Sequence, residues 1–237
     1  MLDTKFHAHL QRNLWFSQLP ILFQNFIFEN AKLLNLEKNQ AAFYAGDAFD
    51  GIYALLEGSI EICSTNEHGN HFLIAIFEPI NWFGEISLVD QSPRSHQAVA
   101  VKSSKVLYLS QKNLDLLLKS YPEGWYFLAQ LISQKLRFAF LELNAIHSRS
   151  LLQHLAQRLN FILQGYGNIE NIENFVIQIS QEKLAQMLAC SRQTINQLLQ
   201  ELEKKKIVEV NFGKIIIKDY EQLKYIANSI PFDSKND

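Results

Sequence analysis

The stretch from Ser180 to Leu202, SQEKLAQMLACSRQTINQLLQEL, limits what this chain can fold into more than any other. Its apolar residues recur at the spacing that buries one face of two short helices joined by a tight turn. The predicted buried residues are Leu184, Ala185, Leu188, Cys190, Ile195 and Leu198. The small Ala185 stands where the two helices would cross. The pattern therefore predicts a helix-turn-helix.

The second predicted helix carries polar residues on its outer face. Ser191 can cap it through the side-chain oxygen, and the outward residues of the first two turns are Arg192, Gln193, Asn196 and Gln197. In the DNA major groove, Arg pairs bidentately with guanine, and Asn or Gln pairs with adenine. An ordinary amphipathic helix pair has the same period, so the surrounding sequence must decide between the two interpretations.

The residues after these helices favour the DNA-reading interpretation. Two short β-branched runs, 207–210 and 214–217, flank Asn211, Phe212 and Gly213. Turn residues between two such runs are typical of a β-hairpin. A hairpin directly after a helix-turn-helix predicts a winged helix-turn-helix.

The charge of the chain is unevenly distributed. The net charge is −2, but residues 1–120 carry nine Lys and Arg against twelve Asp and Glu, net −3, and residues 175–218 carry seven against four, net +3. Phosphate contacts supply most of the sequence-independent affinity for DNA. The candidate phosphate contacts are Lys183, Lys204, Lys205, Lys206 and Lys214. Taken individually, a lysine of this kind is more often simply a solvated surface residue.

Several other classes of protein are disfavoured. Cys63 and Cys190 form no Cys-x-x-Cys pattern, so no metal centre or disulfide framework is predicted. No set of nucleophile, base and orienting residue is recognisable, so we expect a protein that is not an enzyme. The N-terminus lacks the apolar core of a signal peptide and the apolar runs are short, so we expect a cytoplasmic protein.

The front half has a β pattern with one unusual segment. Short alternating runs between Ala31 and Leu109 predict an antiparallel sandwich or barrel. The segment FGEISLVDQSPRS interrupts them. Gly84 allows close approach of a ligand to the backbone, Glu85 suits a sugar hydroxyl, and Arg94 with Ser95 suits a phosphate. The alternative is an internal salt bridge between Glu85 and Arg94 that stabilises an ordinary loop.

A long helix is predicted between the two halves, over 122–147. Its apolar residues recur at steps of three and four and are Trp125, Leu128, Ile132, Leu136, Ala139, Leu143 and Ile146. Such a stripe over about three heptads favours a coiled coil. A long buried helix in a monomer is the alternative.

Three motifs, GDAFDGIYALLEGSIEI, FGEISLVDQSPRS and SQEKLAQMLACSRQTINQLLQELE, stand in this order along the chain. With them the chain resembles the Crp/Fnr superfamily of transcription regulators from about residue 13 to 228. The resemblance implies an α+β fold: a β-roll (double-stranded β-helix or jelly-roll) sensor domain over 13–121, a dimerisation helix over 122–147 and a winged helix-turn-helix over 148–228. It also implies a homodimer, a pseudo-palindromic site on double-stranded DNA, and contact with RNA polymerase.

The resemblance further implies that Gly84, Glu85, Arg94 and Ser95 bind an effector, with cyclic AMP and cyclic GMP as candidates. Two features depart from the cyclic-nucleotide binders of the superfamily. His96 stands where they usually carry Ala, and 136–140 has no hydroxyl residue to contact an adenine. A ligand-independent regulator therefore stays open, as does a cyclic-nucleotide-binding module that acts by protein contact without DNA. In addition, Ala189 occupies a turn position that usually holds Gly, and Ile80 follows Pro79 where a turn Gly is common.

Overall fold

The computed structural model of the chain describes residues 4–65, 71–169 and 172–228. The chain forms two compact units. The first consists of 1–135 together with 167–170, and the second of 136–166 together with 171–237.

The first unit begins with three helices, α1 Thr4–Gln11, α2 Leu14–Ser17 and α3 Ile21–Asn30. Eight strands follow among the described residues: β1 Lys32–Leu36, β2 Ala41–Phe43, β3 Gly51–Glu57, β4 Ile60–Thr65, β5 His71–Phe77, β6 Asn81–Phe83, β7 Gln97–Ala100 and β8 Ser104–Ser110. The short helix α4, Ile86–Asp90, lies between β6 and β7, and α5, Gln111–Ser120, follows β8.

The eight strands form two antiparallel sheets of four strands each. The strand orders are β1-β8-β3-β6 and β2-β7-β4-β5. The alternating apolar residues that predicted half-buried strands make the core, in which Ile52, Trp82 and Leu107 are almost wholly buried. The predicted antiparallel β-roll is thus confirmed.

The longest helix is α6, Gly124–Ser148, whose first part belongs to the first unit and whose second part belongs to the second unit. Leu128 and Leu131 are buried within the first unit. Most of the predicted apolar stripe is exposed in the single chain, since Leu136, Leu143 and Ile146 are each at least half exposed. In the part of the chain that the structure describes, no helix is both long and apolar enough to cross a lipid bilayer.

The second unit continues with α7 Leu151–Leu163, β9 Val176–Ile177, α8 Gln181–Met187, α9 Arg192–Lys204, β10 Val208–Asn211, β11 Lys214–Ile217 and α10 Tyr220–Asn228. The three strands form one antiparallel sheet with the order β10-β11-β9. The predicted winged helix-turn-helix is therefore confirmed, with α8 and α9 as its helix pair and β10 with β11 as the wing.

Most of the residues that were predicted to be buried in the helix pair are buried. Leu184, Ala185, Leu188 and Ile195 are buried. Cys190 and Leu198 are only half-buried, which corrects the prediction for these two residues. The buried residue in the second turn of α9 is Leu199, because it lies four positions after Ile195 and therefore on the same face of the helix.

Candidate functional sites

Gly84, the first residue of the candidate effector site, lies between β6 and α4. Its φ is +90°, a value that favours glycine. A Cβ on this residue would lie 3.0 Å from the guanidinium of Arg94 and 3.3 Å from the ring of Phe43. The site therefore needs glycine here both for backbone conformation and for space.

The Arg94 side chain is buried and held on several sides. Its Nη1 donates to the carbonyl oxygen of Gly84 at 2.5 Å, and its Nη2 donates to the carbonyl oxygen of Gly51 at 2.6 Å and to Asp50 Oδ1 at 2.5 Å. The rings of Phe43 and Phe49 lie 4.2 and 4.8 Å from the guanidinium carbon. Desolvation makes these charge-assisted contacts strong. The strongest anionic partner of Arg94 is thus a carboxylate of the chain itself.

Asp50 is held in place by a second donor. Its Oδ2 accepts a hydrogen bond from the hydroxyl of Tyr53 at 2.7 Å. Burial, and next this hydrogen bond, raise the pKa of Tyr53, so the phenol stays protonated and keeps donating. Nε of Arg94 is buried without a hydrogen-bond partner among the described residues. The guanidinium therefore retains unused donor capacity.

Glu85 is almost wholly buried and pairs with a lysine of α6. Lys135 Nζ lies 2.9 Å from both carboxylate oxygens of Glu85, and it also donates to the carbonyl oxygen of Trp82 at 2.7 Å. All of these residues belong to the first unit. The suggested salt bridge between Glu85 and Arg94 is wrong, because each of the two has another partner of opposite charge.

Ser95 is exposed, and its hydroxyl contacts the residue that departs from the cyclic-nucleotide binders. Ser95 Oγ lies 2.8 Å from His96 Nδ1. Burial lowers the pKa of His96, so the imidazole is neutral at neutral pH. Of the four predicted effector residues, Gly84 and Arg94 contact each other directly, whereas Glu85 and Ser95 are hydrogen-bonded to Lys135 and His96.

Two charged residues of this site were not singled out from the sequence. Asp50 lies within the first recognised motif, but nothing local marks it as a partner of Arg94. Lys135 lies one helical turn after the buried Leu131, and Leu131 follows the buried Leu128. A lysine in line with buried apolar residues of a helix requires a partner of opposite charge, so this pattern could have marked Lys135 in the sequence.

Phe138, in the second part of α6, packs inside the second unit. Its ring lies edge-on to Phe161 at a centroid distance of 4.6 Å and to Tyr166 at 6.2 Å. Phe140 is exposed. Within the second unit, Phe138 therefore contributes to the packing of α6 against α7.

The candidate DNA-reading surface lies at the N-terminal end of α9. Ser191 Oγ accepts a hydrogen bond from the Thr194 amide at 3.0 Å and so caps the helix as predicted. Arg192, Gln193 and Gln197 are exposed. They present side chains that can donate to and accept from base edges.

The remaining predicted DNA-binding residues differ in exposure. Asn196 is half-buried, and its Oδ1 accepts a hydrogen bond from Gln181 Nε2 at 3.3 Å. Lys183 is half-buried in the first turn of α8, and Lys214 is exposed at the start of β11. Asn196 is therefore partly fixed by α8, whereas Lys214 is accessible.

The turn between α8 and α9 carries two further residues of interest. Ala189 has a φ of +50°, a left-handed value that favours glycine. Burial raises the pKa of the Cys190 thiol, so it stays protonated at neutral pH. This thiol is consequently a poor nucleophile.

The comparisons with known proteins match both units. Residues 33–121 match the profile of the cyclic nucleotide-binding domain, and residues 149–226 match that of the Crp-like helix-turn-helix domain. The chain is 30% identical over 186 residues to the Cyclic AMP receptor protein of Thermus thermophilus, with 78% of this chain and 83% of that protein covered. It is 23% identical to the Global nitrogen regulator of a Nostoc species, with 76% and 82% covered.

Solved structures show the same fold. FixK2 from Bradyrhizobium japonicum superposes with a TM-score of 0.72 at 13% identity, covering 84% of this chain and 98% of that one. The chain is 30% identical to a cyclic AMP receptor protein over more than two thirds of both chains, and it matches both domain profiles. These two findings show membership of a family and not only a shared fold. The chain therefore belongs to the Crp/Fnr family and is a DNA-binding transcription regulator rather than an enzyme.

Proposed function

We propose that two copies of this chain bind a pseudo-palindromic site on double-stranded DNA, with α9 of each copy in a major groove. The observation that carries this proposal is the polar N-terminal face of α9, because Arg192, Gln193 and Gln197 are exposed while Ile195 and Leu199 anchor the opposite face. In this arrangement Arg192, Gln193, Asn196 and Gln197 contact base edges, and Ser191, Lys183 and Lys214 contact phosphates.

The homodimer is supported by the exposed apolar residues of α6. Leu136, Phe140, Leu143 and Ile146 are 51–60% exposed in the single chain. Exposed apolar residues at coiled-coil spacing are stabilised by burial against a second helix. In the proposed dimer, residues 13–121 form the sensor, 122–147 the dimerisation helix and 148–228 the DNA-binding domain. RNA polymerase is the proposed protein partner.

DNA reading is tested by selecting duplexes from a random-sequence pool with the purified protein and then comparing variants. Arg192→Ala should lower affinity for the selected duplex by roughly 1–3 kcal/mol and affinity for a mixed-sequence duplex much less. Lys214→Ala is the matched control, since loss of a phosphate contact weakens both and reduces the salt slope by about 0.9. Equal losses on both duplexes would remove Arg192 from the reading face.

We further propose that the β-roll binds a cyclic nucleotide, cyclic AMP or cyclic GMP, through Gly84, Glu85, Arg94 and Ser95. Support comes from the match to the cyclic nucleotide-binding domain and from the name of the Thermus relative. Nε of the buried Arg94 guanidinium has no hydrogen-bond partner among the residues that the structure describes, and the guanidinium has an anionic partner that a phosphate can replace. Binding to Glu85 would displace Lys135, and this residue lies on α6, the helix that continues into the second unit.

Calorimetric titration with each cyclic nucleotide tests this second part. We expect binding to the wild type that Arg94→Ala abolishes, while Arg137→Ala, which removes an exposed arginine of α6, leaves it unchanged. An absence of binding heat at several temperatures for the wild type would exclude cyclic AMP and cyclic GMP and favour ligand-independent regulation. The DNA-binding proposal does not depend on this outcome.

A further inference from the structure

The wing ends in an apolar tip. The strands β10 and β11 pair in register up to Asn211 and Lys214, so that only Phe212 and Gly213 form the loop. The φ of Gly213 is +70°, and a Cβ placed on it would meet no atom within 4 Å. The tip therefore has open space around it within the described structure.

Phe212 is the most exposed large apolar side chain that the structure describes. Its exposure is 107% of the reference value for the residue, and the next highest, Tyr225, is at 68%. The base of the wing is different, since Val208, Ile215 and Ile217 are buried. Full burial of a phenylalanine side chain is worth about 1.5–3 kcal/mol. Phe212 contributes none of this to the fold, so it is available to a partner.

The surroundings of the tip favour a polyanionic partner. Lys214 is exposed beside it, and the base of the wing adds a run of three lysines, Lys204, Lys205 and Lys206, of which Lys205 pairs with Glu201 at 2.7 Å. The nearby carboxylate of Glu209 is compensated by Lys218, whose Nζ lies 2.6 Å away. An apolar tip with a lysine beside it, on a wing whose base is also basic, matches a groove lined by phosphates better than an uncharged protein pocket.

The wing is also attached to the reading helix. The amide of Val210 donates to Glu203 Oε1 of α9 at 2.9 Å, and only three residues separate α9 from β10. Placement of α9 in a major groove therefore fixes where the wing meets the same duplex. A two-residue tip is narrow enough for the minor groove, which is about 6 Å wide, and proteins that bind this groove insert apolar side chains such as Phe between base steps.

We infer that Phe212 enters the minor groove beside the sequence read by α9 and partly unstacks a base step there, with Lys214 on an adjacent phosphate. The inference depends on the proposed placement of α9. Its partner is double-stranded DNA, and the contact discriminates by the deformability of the flanking step rather than by a base-edge hydrogen bond. Flexible pyrimidine–purine steps should be favoured at that position.

The test uses the full-length protein and a duplex selected from a random pool with the wild type, with 2-aminopurine placed in turn at each flanking position. We expect the wild type to raise 2-aminopurine fluorescence at one flanking step in each half-site. Phe212→Ala should abolish that rise and weaken binding roughly tenfold, with the salt slope unchanged because no phosphate contact is lost. Tyr225→Ala, which removes another exposed aromatic ring of the same unit, should change neither quantity.

Three results would overturn the inference. Wild-type affinity and an unchanged fluorescence rise for Phe212→Ala would show that the ring does not touch DNA and would point to a protein partner. Weaker binding without any fluorescence rise in the wild type would show an apolar contact outside the base stack. Failure of the wild type to select any duplex would refute the placement of α9 as well, whereas the first two results leave that placement intact. Because the side chain is fully exposed, Phe212→Ala should retain the wild-type melting temperature, which circular dichroism verifies.

Discussion

Arg94 is buried and paired with a carboxylate of its own chain, and this determines how the β-roll can respond to an anion. A buried cation without a partner would be strongly unfavourable. Asp50 supplies the negative charge, while Gly51 and Gly84 supply carbonyl oxygens. An incoming phosphate must therefore compete with Asp50 for the guanidinium, and this competition lowers the apparent affinity of the site.

Removing the negative charge of Asp50 should consequently strengthen effector binding. Asp50→Asn keeps an oxygen that can accept from Arg94 and removes the negative charge, so we expect cyclic-nucleotide affinity to rise about tenfold, or about 1.4 kcal/mol. Calorimetric titration measures it. Asp47→Asn is the matched control, since the carboxylate of Asp47 accepts a hydrogen bond from the Tyr44 amide. Equal or weaker binding by Asp50→Asn would show that Asp50 does not compete with the ligand.

His96 should make the stability of the sensor depend on pH. Burial lowers its pKa in the folded chain below the ordinary value of 6.5, so the unfolded chain binds more protons. The stabilising contribution of neutral His96 to the free energy of unfolding is complete above the pKa of the unfolded chain. It is lost as the pH falls from about 6.5 towards the lower pKa of the folded chain. His96→Gln should flatten this part of the profile, as measured by urea unfolding at a series of pH values. An unchanged slope would assign the acid sensitivity to other groups.

Local motifs allowed the four candidate effector residues to be recognised, but their partners could not be read from the sequence. Glycine, carboxylate, arginine and serine at fixed spacing indicate anion chemistry within one loop. Asp50 lies 44 residues before Arg94, and Lys135 lies 50 residues after Glu85. Such pairings are set by the tertiary fold, so spacing alone left an incorrect salt bridge between Glu85 and Arg94 as the simplest alternative.

At the scale of elements, periodicity predicted the helix pair well except where the turn sets the helical register. The side chains of α9 follow the face begun by Ile195, which buries Leu199 and leaves Leu198 half-exposed. The strands of the β-roll could also be predicted from the sequence, because alternating apolar residues and turn residues recur along them. The turn itself carries Ala189 in a left-handed conformation.

Replacing Ala189 by glycine should stabilise the DNA-binding domain. A left-handed conformation costs an L-residue about 1–2 kcal/mol, and glycine loses about 0.5–1 kcal/mol more in conformational entropy on folding. The difference predicts a gain of roughly 0.5–1 kcal/mol, seen as a higher melting temperature in calorimetry. Ala129→Gly, at an exposed site inside α6, is the control and should lose about 1 kcal/mol. An unchanged or lower melting temperature for Ala189→Gly would contradict the strain argument.

At the scale of the whole molecule, the exposed face of α6 is the feature that a single chain leaves incomplete. Leu136, Phe140, Leu143 and Ile146 expose apolar surface at helical spacing along the second half of this helix. Sequence periodicity predicted a stripe that contains three of them, Leu136, Leu143 and Ile146, but it could not separate a coiled coil from a helix buried in a monomer. The exposure in the folded chain favours the coiled coil, since no described residue covers these side chains fully.

A charge in this stripe should therefore separate the two protomers. Leu143→Glu places a carboxylate where a hydrophobic contact is expected, and burying it without a partner costs several kcal/mol. Sedimentation velocity should show a monomer, and affinity for a selected pseudo-palindromic duplex should fall at least a hundredfold, because the two half-sites are no longer bound as a unit. Asn144→Glu adds the same charge at an exposed neighbouring position and should remain dimeric. A dimeric Leu143→Glu protein with wild-type affinity would place the dimer interface elsewhere, and the two copies of α9 would then be positioned by a different surface.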